Sequence, residues 1–297
     1  MKCIKTLFMS VAAAILVSCG TTSTVPITGR KQNLLVTDDQ VNAMALQQYQ
    51  ETLQQSKLST NSTNAAMVKR VGQNLATAVE SYLKANGLAD EVKNYAWEFN
   101  LVQDAQVNAW CMPGGKIVVY EGLLPVTQNE ASLAIVLGHE IAHAVAKHSA
   151  ERLSNAYKEQ YGTQILGSVL QGAGMSESTT QLLSLAHSLG GQLWTSGFSR
   201  KQESEADHMG LIFAAMAGYD PQVATSFWQR MSAQGNGGGG LFSDHPSDET
   251  RIKNIQEWMP EALKYYKPVT TTTTTKKSSS TKKTSTKKTT TTKSSKK

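Results

Sequence analysis

A chain of 297 residues in which 40% of side chains are apolar can bury one substantial core. With only three cysteines it cannot be a disulfide-framed scaffold. The formal net charge of +6 at first suggests a polyanion as partner, but that charge is concentrated at one end and says little about the rest.

The N-terminus reads MKCIKTLFMSVAAAILVSCG. Lys2 and Lys5 precede an apolar run from Leu7 to Val17 that is too short to span a bilayer and has the proportions of a signal peptide. An ordinary cleaved signal fits these features. Leu16-Val17-Ser18 ahead of Cys19 also resembles the bacterial lipobox, which implies a lipoprotein signal over residues 1–18. Cys19 is then the acylated first residue of the mature chain, followed by an anchor and linker through residue 35. Acyl chains are worth about 0.8 kcal/mol per buried CH₂, so such an anchor would be long-lived. Gly20 in place of an aspartate points to the outer membrane, facing the periplasm. With Cys3 lost and Cys19 acylated, Cys111 has no partner for a disulfide.

The body is expected between residues 36 and 267. Helical spacing of apolar residues predicts helices at 38–57 and 62–84, capped by Asp38 and by Thr60 or Asn61. YAWEFNLV (95–102) and KIVVYEG (116–122) are rich in β-formers and read as strands. One long helix is predicted from Glu130 to about Leu153, then helices at 157–172, 178–190, 199–217 and 221–233. The run GNGGGG (235–240) reads as a loop. The fold class that follows is α+β, mainly helical with a small sheet.

Residues 268–297 hold nine lysines and no large apolar residue other than Val269, so they cannot build a core and read as a disordered tail. Removing those nine charges, together with Lys2 and Lys5, from the formal +6 leaves a body of −5. An exported lipoprotein meets little nucleic acid, so the tail's expected partner is an anionic envelope polymer or membrane surface. A purely solubilising tail fits equally well.

Chemistry enters with GHEIAHAVAKHS (138–149), which contains HExxH. At about 100° per residue, His139 and His143 lie roughly 40° apart on one helix face and can share a metal, with Glu140 at its edge. A catalytic zinc needs three protein ligands and an open position for water. His148 falls on roughly the opposite face and reads as a solvated histidine. The metzincin extension is excluded by Ala146 and Ser149. The third ligand must then come from another helix, and SRKQESEADHMG (199–210) supplies Glu203 and Asp207 one turn apart. One of them can bind metal while the other orients an imidazole. Glu205 points elsewhere, and a solvated charged face is the competing reading.

These segments together resemble a known family. HEIAH, the downstream SR..E.EAD..G, His245-Pro246 leading to Arg251, and NAWCMPGGKIVVYEGLL are similar to the zinc metallopeptidases of the CAAX prenyl proteases and HtpX. VPITGRKQ beside a lipobox resembles their periplasmic lipoprotein branch, the BepA-like and LoiP-like proteins. The resemblance implies a zincin-type core and one zinc per chain. It makes His139, His143 and Glu203 the ligands, Glu140 the general base and Asp207 the carboxylate behind a ligand imidazole. His245 would stabilise the oxyanion or occupy the open coordination position. As the sheet's edge strand, the segment at Asn108, Ala109 and Trp110 can bind extended substrate through its backbone; a strand internal to the sheet is the competing reading. Unfolded or misassembled envelope proteins are the implied substrates. An assembly factor for outer-membrane proteins with incidental proteolysis, or an envelope-binding module, are the other classes.

Overall fold

The computed structural model describes residues 21–171, 184–190, 192–195, 197–233 and 249–268. The expected signal peptide, Cys19, the GNGGGG run, His245 and the tail from 269 onward lie outside the described residues.

A two-stranded antiparallel hairpin, β1 (Thr21–Thr24) and β2 (Lys31–Leu34), opens the described chain. Helix α1 (Asp38–Gln55) follows, with Thr37 as its N-cap and Gln40 closing a capping box. Helix α2 (Ser62–Ala85) is capped by Asn61. Then come β3 (Glu98–Val102), β4 (Ala109–Met112) and β5 (Lys116–Tyr120), which form one sheet in the order β3-β5-β4. β3 runs parallel to β5, and β4 pairs with it antiparallel. The longer helices that follow among the described residues are α3 (Glu130–Val145), α4 (His148–Gln171), α5 (Arg200–Met216), α6 (Val223–Ala233) and α7 (Glu249–Tyr265).

The sheet is buried on both faces, which is why KIVVY is a nearly continuous apolar run rather than an alternating one. Ala109, Cys111, Ile117 and Val119 join the core built on α2 and α3, whereas Trp110, Met112 and Val118 join Tyr49 and Val41 of α1. Residues 21–35, expected as part of a linker, are instead packed into the body: Val25 is 1% exposed and belongs to the main core. An apolar Val25 and a turn-forming Pro26-Ile27-Thr28-Gly29 are what let this short segment fold back.

The single long helix expected over 130–153 is in fact two. α3 ends at Val145, Ala146 caps it, and Lys147 takes a left-handed backbone with φ 56° before α4 begins at His148. No glycine or proline announces the break. Lys147 is held there by ion pairs to Asp38 and Glu91, both at 2.8 Å, and the Ala146 carbonyl accepts a 2.9 Å bond from Gln32.

Helices α3 and α5 cross at two glycines. A Cβ on Gly138 would stand 2.6 Å from the Gly210 carbonyl oxygen, and one on Gly210 would stand 2.6 Å from the His139 nitrogen. Only glycine permits this approach, which brings the carboxylates of α5 up to the histidines of α3. None of the described helices is long and apolar enough to cross a membrane.

Candidate metal centre

HEIAH sits mid-helix on α3, where all four groups are removed from solvent: His139 is 2% exposed, Glu140 3%, His143 3%, and Glu203 from α5 6%. The Nε2 atoms of His139 and His143 are 3.1 Å apart. Glu203 lies 3.5 Å from the first through Oε2 and 3.4 Å from the second through Oε1. Ligands about 2.0–2.1 Å from a tetrahedral zinc stand about 3.3–3.4 Å from each other; one donor atom from each of the three side chains lies within 4.8 Å of the others, so the cluster can close on one zinc. They are also the one metal-capable cluster found among the described residues.

What lies behind the ligands agrees. His139 Nδ1 is 2.8 Å from Asp207 Oδ1, so its Nδ1–H donates to a carboxylate and Nε2 is the nitrogen that faces the cluster. Arg251, 5% exposed, donates through Nε to Asp207 Oδ2 at 2.6 Å and through Nη2 to Glu203 Oε2 at 2.9 Å. Its guanidinium lies 4.2 Å from the centre of the Trp228 ring. Burial opposes charge on His139, but hydrogen bonds and charge from Asp207 and Glu203 outweigh it and raise the pKa to about 10 without a cation. That negative field favours a divalent cation, whose binding releases the imidazole proton.

His148 is not solvated. It is completely buried, with Nδ1 2.9 Å from His143 Nδ1 and Nε2 3.0 Å from Glu205 Oε2. The expectation failed because it extended one helix through a position where the backbone turns at Lys147. Burial pushes the His148 pKa below its ordinary value despite Glu205. This imidazole is not part of the metal-capable cluster, whose third member is Glu203. Glu205 does face away from the metal cluster, but toward a buried network rather than water.

Cys111 lies on β4, and burial first, then the charge of Glu140, pushes its thiol well above the usual range. It is therefore a protonated, inert thiol near the expected base, not a nucleophile. Among the described residues β4 pairs on one side only, with β5. The Trp110 side chain packs edge-on against Tyr49, and its Nε1 donates to the Tyr120 hydroxyl at 3.3 Å. Asn108 and Ala109 are buried as well, and the Asn108 carbonyl already accepts from Tyr120 at 3.0 Å. The sequence singled out Arg251 without a role and missed His148, Arg30 and Thr28. The polar run TGR in an otherwise apolar N-terminal turn is the signal that was there.

Two histidines from one helix turn, a glutamate from a crossing helix and a second glutamate beside the first ligand define a zinc metallopeptidase site. The chain belongs to peptidase family M48, whose family model matches residues 62–259. It is 34% identical over 244 residues to the mitochondrial metalloendopeptidase OMA1 of Schizosaccharomyces pombe, covering 80% of this chain and 66% of that protein. It is 37% identical over 189 residues to the mitochondrial metalloendopeptidase OMA1 of Arabidopsis thaliana, covering 63% of this chain and 37% of that one. It is also 33% identical over 141 residues to the beta-barrel assembly-enhancing protease of Yersinia pestis, covering 46% and 29%. The chain thus spans at most 66% of the length of these relatives.

Proposed function

We propose that this protein is a membrane-anchored zinc endopeptidase that hydrolyses unfolded or misassembled proteins of the bacterial envelope, facing the periplasm from the outer membrane. The observation that carries the reading is the buried cluster of His139, His143 and Glu203, with donor atoms within 4.8 Å of one another and Glu140 buried on the helix of the two histidines. Bound zinc supplies Lewis acidity and lowers the pKa of water to about 7. Glu140 takes a proton from the water whose oxygen adds to the peptide carbonyl carbon, and returns it to the amine as the C–N bond breaks. Asp207 and Arg251 hold His139 and Glu203 in place, and burial of the cluster strengthens each of these interactions.

Cys19 as the acylated anchor rests on the lipobox, and a role around β-barrel assembly is in keeping with the Yersinia pestis relative, a beta-barrel assembly-enhancing protease. An edge strand at Asn108, Ala109 and Trp110 would read backbone rather than sequence, in keeping with a broad substrate class. His245 is proposed either to gate the open metal position or to donate to the oxyanion. His245→Ala separates the two: basal hydrolysis rises for a gate and falls about a hundredfold for a donor. The experiment for the whole reading is substrate trapping in the native envelope. Glu140→Gln should retain unfolded outer-membrane proteins that the wild type releases as fragments. Equal recovery of intact partners from both would argue instead for an assembly factor with incidental proteolysis.

A further inference from the structure

The turn of the N-terminal hairpin reaches the back of the metal centre. Thr28 Oγ1 donates to Glu205 Oε1, and Arg30 donates through Nε to Glu205 Oε2 at 2.7 Å. The other face of the same guanidinium binds Glu151 through Nη1 at 2.6 Å and Nη2 at 2.9 Å, while Gln202 donates to Glu151 at 2.8 Å. Glu205 Oε2 also meets His148 Nε2, and His148 Nδ1 meets His143 Nδ1.

The direction of each bond follows from the first. An ionised carboxylate only accepts, so His148 donates from Nε2; a second proton on its Nδ1 would collide with the Nδ1–H that His143 must carry when it holds metal through Nε2, so His148 Nδ1 keeps its lone pair. Two Nδ1 atoms at 2.9 Å then bond only if His143 is the donor. With its proton on Nδ1, His143 must offer a lone pair at Nε2, the nitrogen that lies beside His139 and Glu203.

We propose that Thr28 and Arg30 are positioning residues of the metal centre, which fix the tautomer and orientation of ligand His143 through Glu205 and His148. The proposal rests on the zinc reading above. The backbone supports it: Ile27, a β-branched residue, is left-handed at φ 67°, beside Gly29 at φ 68°. Such a conformation is an outlier for isoleucine and persists only where surroundings impose it. Here Val25 and Ile27 are packed against the main core, and the turn is closed by Val25 N to Arg30 O at 2.8 Å and Gly29 N to Val25 O at 3.0 Å. The strained turn aims Thr28 and Arg30 at the same carboxylate. Two arms thus support the two histidines, Asp207 with Arg251 behind His139 and His148 with Glu205, Thr28 and Arg30 behind His143.

The test is zinc affinity of the purified full-length protein, measured by competition with a chromogenic chelator, with the absorption spectrum of the cobalt-substituted form and the melting point of the metal-free form alongside. Arg30→Met should weaken zinc binding about ten- to hundredfold and alter the cobalt spectrum. Thr28→Val should weaken it by a smaller factor, and Arg30→Lys should recover part of the loss. A lowered melting point with unchanged zinc affinity and cobalt spectrum overturns the proposal and leaves a structural clamp. Should Arg30→Met not fold, His148→Phe decides, since it keeps a buried ring but removes the acceptor; unchanged zinc affinity there also overturns it. Failure of the zinc reading itself would show differently, as a wild type that binds no zinc.

Discussion

His139 and His143 can share a metal only if each turns an Nε2 lone pair toward the same point, and their Nδ1 contacts decide whether they do. For His139 that contact is Asp207. Asp207→Ala should therefore weaken zinc binding about ten- to hundredfold, read by chelator competition; an unchanged affinity would mean that Asp207 serves only Arg251. The His139–His143 and Glu203–Asp207 pairs were legible in the sequence because helix periodicity places side chains four apart on one face, but periodicity left open which carboxylate joins the histidines. Arg251, Arg30 and His148 were not legible. Their carboxylate partners lie 44 or more positions away in the chain, and the His143–His148 contact is one that a turn in the backbone creates.

At the scale of elements, the crossing of α3 and α5 sets the distance from the histidines to Glu203 and Asp207. Gly210→Ala places a Cβ against the His139 backbone, which cannot yield as a flexible side chain could. The helices must separate, at a cost of about 1–3 kcal/mol in urea unfolding and with weaker zinc binding. Wild-type stability in that variant would show that the close approach is incidental. The break at Lys147 allows a sharper contrast. Lys147→Ala and Lys147→Gly both lose the pairs to Asp38 and Glu91, but only glycine accepts the left-handed backbone without penalty. The glycine variant should be the more stable of the two by about 1 kcal/mol in urea unfolding of the metal-free protein; equal stabilities would remove the backbone argument. Here the sequence misled, since both flanking segments are good helix formers and the stop depends on Asp38 and Glu91, remote in the chain. The start of α2 at its Asn61 cap and the strand core of β5 were legible, because capping and β-propensity are local, whereas α1 is capped by Thr37 and not by Asp38, the residue the sequence pointed to.

For the whole molecule, charge and chemistry are separated along the chain. Nine lysines lie in residues 268–297, whereas the metal cluster and its supports lie between Thr28 and Arg251. Removal of residues 268–297 should leave zinc content and hydrolysis of a soluble unfolded substrate unchanged while lowering salt-sensitive retention on anionic vesicles. Retention that survives the deletion would assign the tail to solubility alone. The central claim is that His139, His143 and Glu203 hold one zinc while Glu140 supplies the base. It is tested most directly by measuring zinc per chain and hydrolysis of an unfolded protein side by side for purified wild type and Glu140→Gln. The account predicts about one zinc in both and a loss of hydrolysis of several orders of magnitude in the variant alone. Hydrolysis by Glu140→Gln at the wild-type rate, or a fully active wild type that holds no zinc, would contradict it.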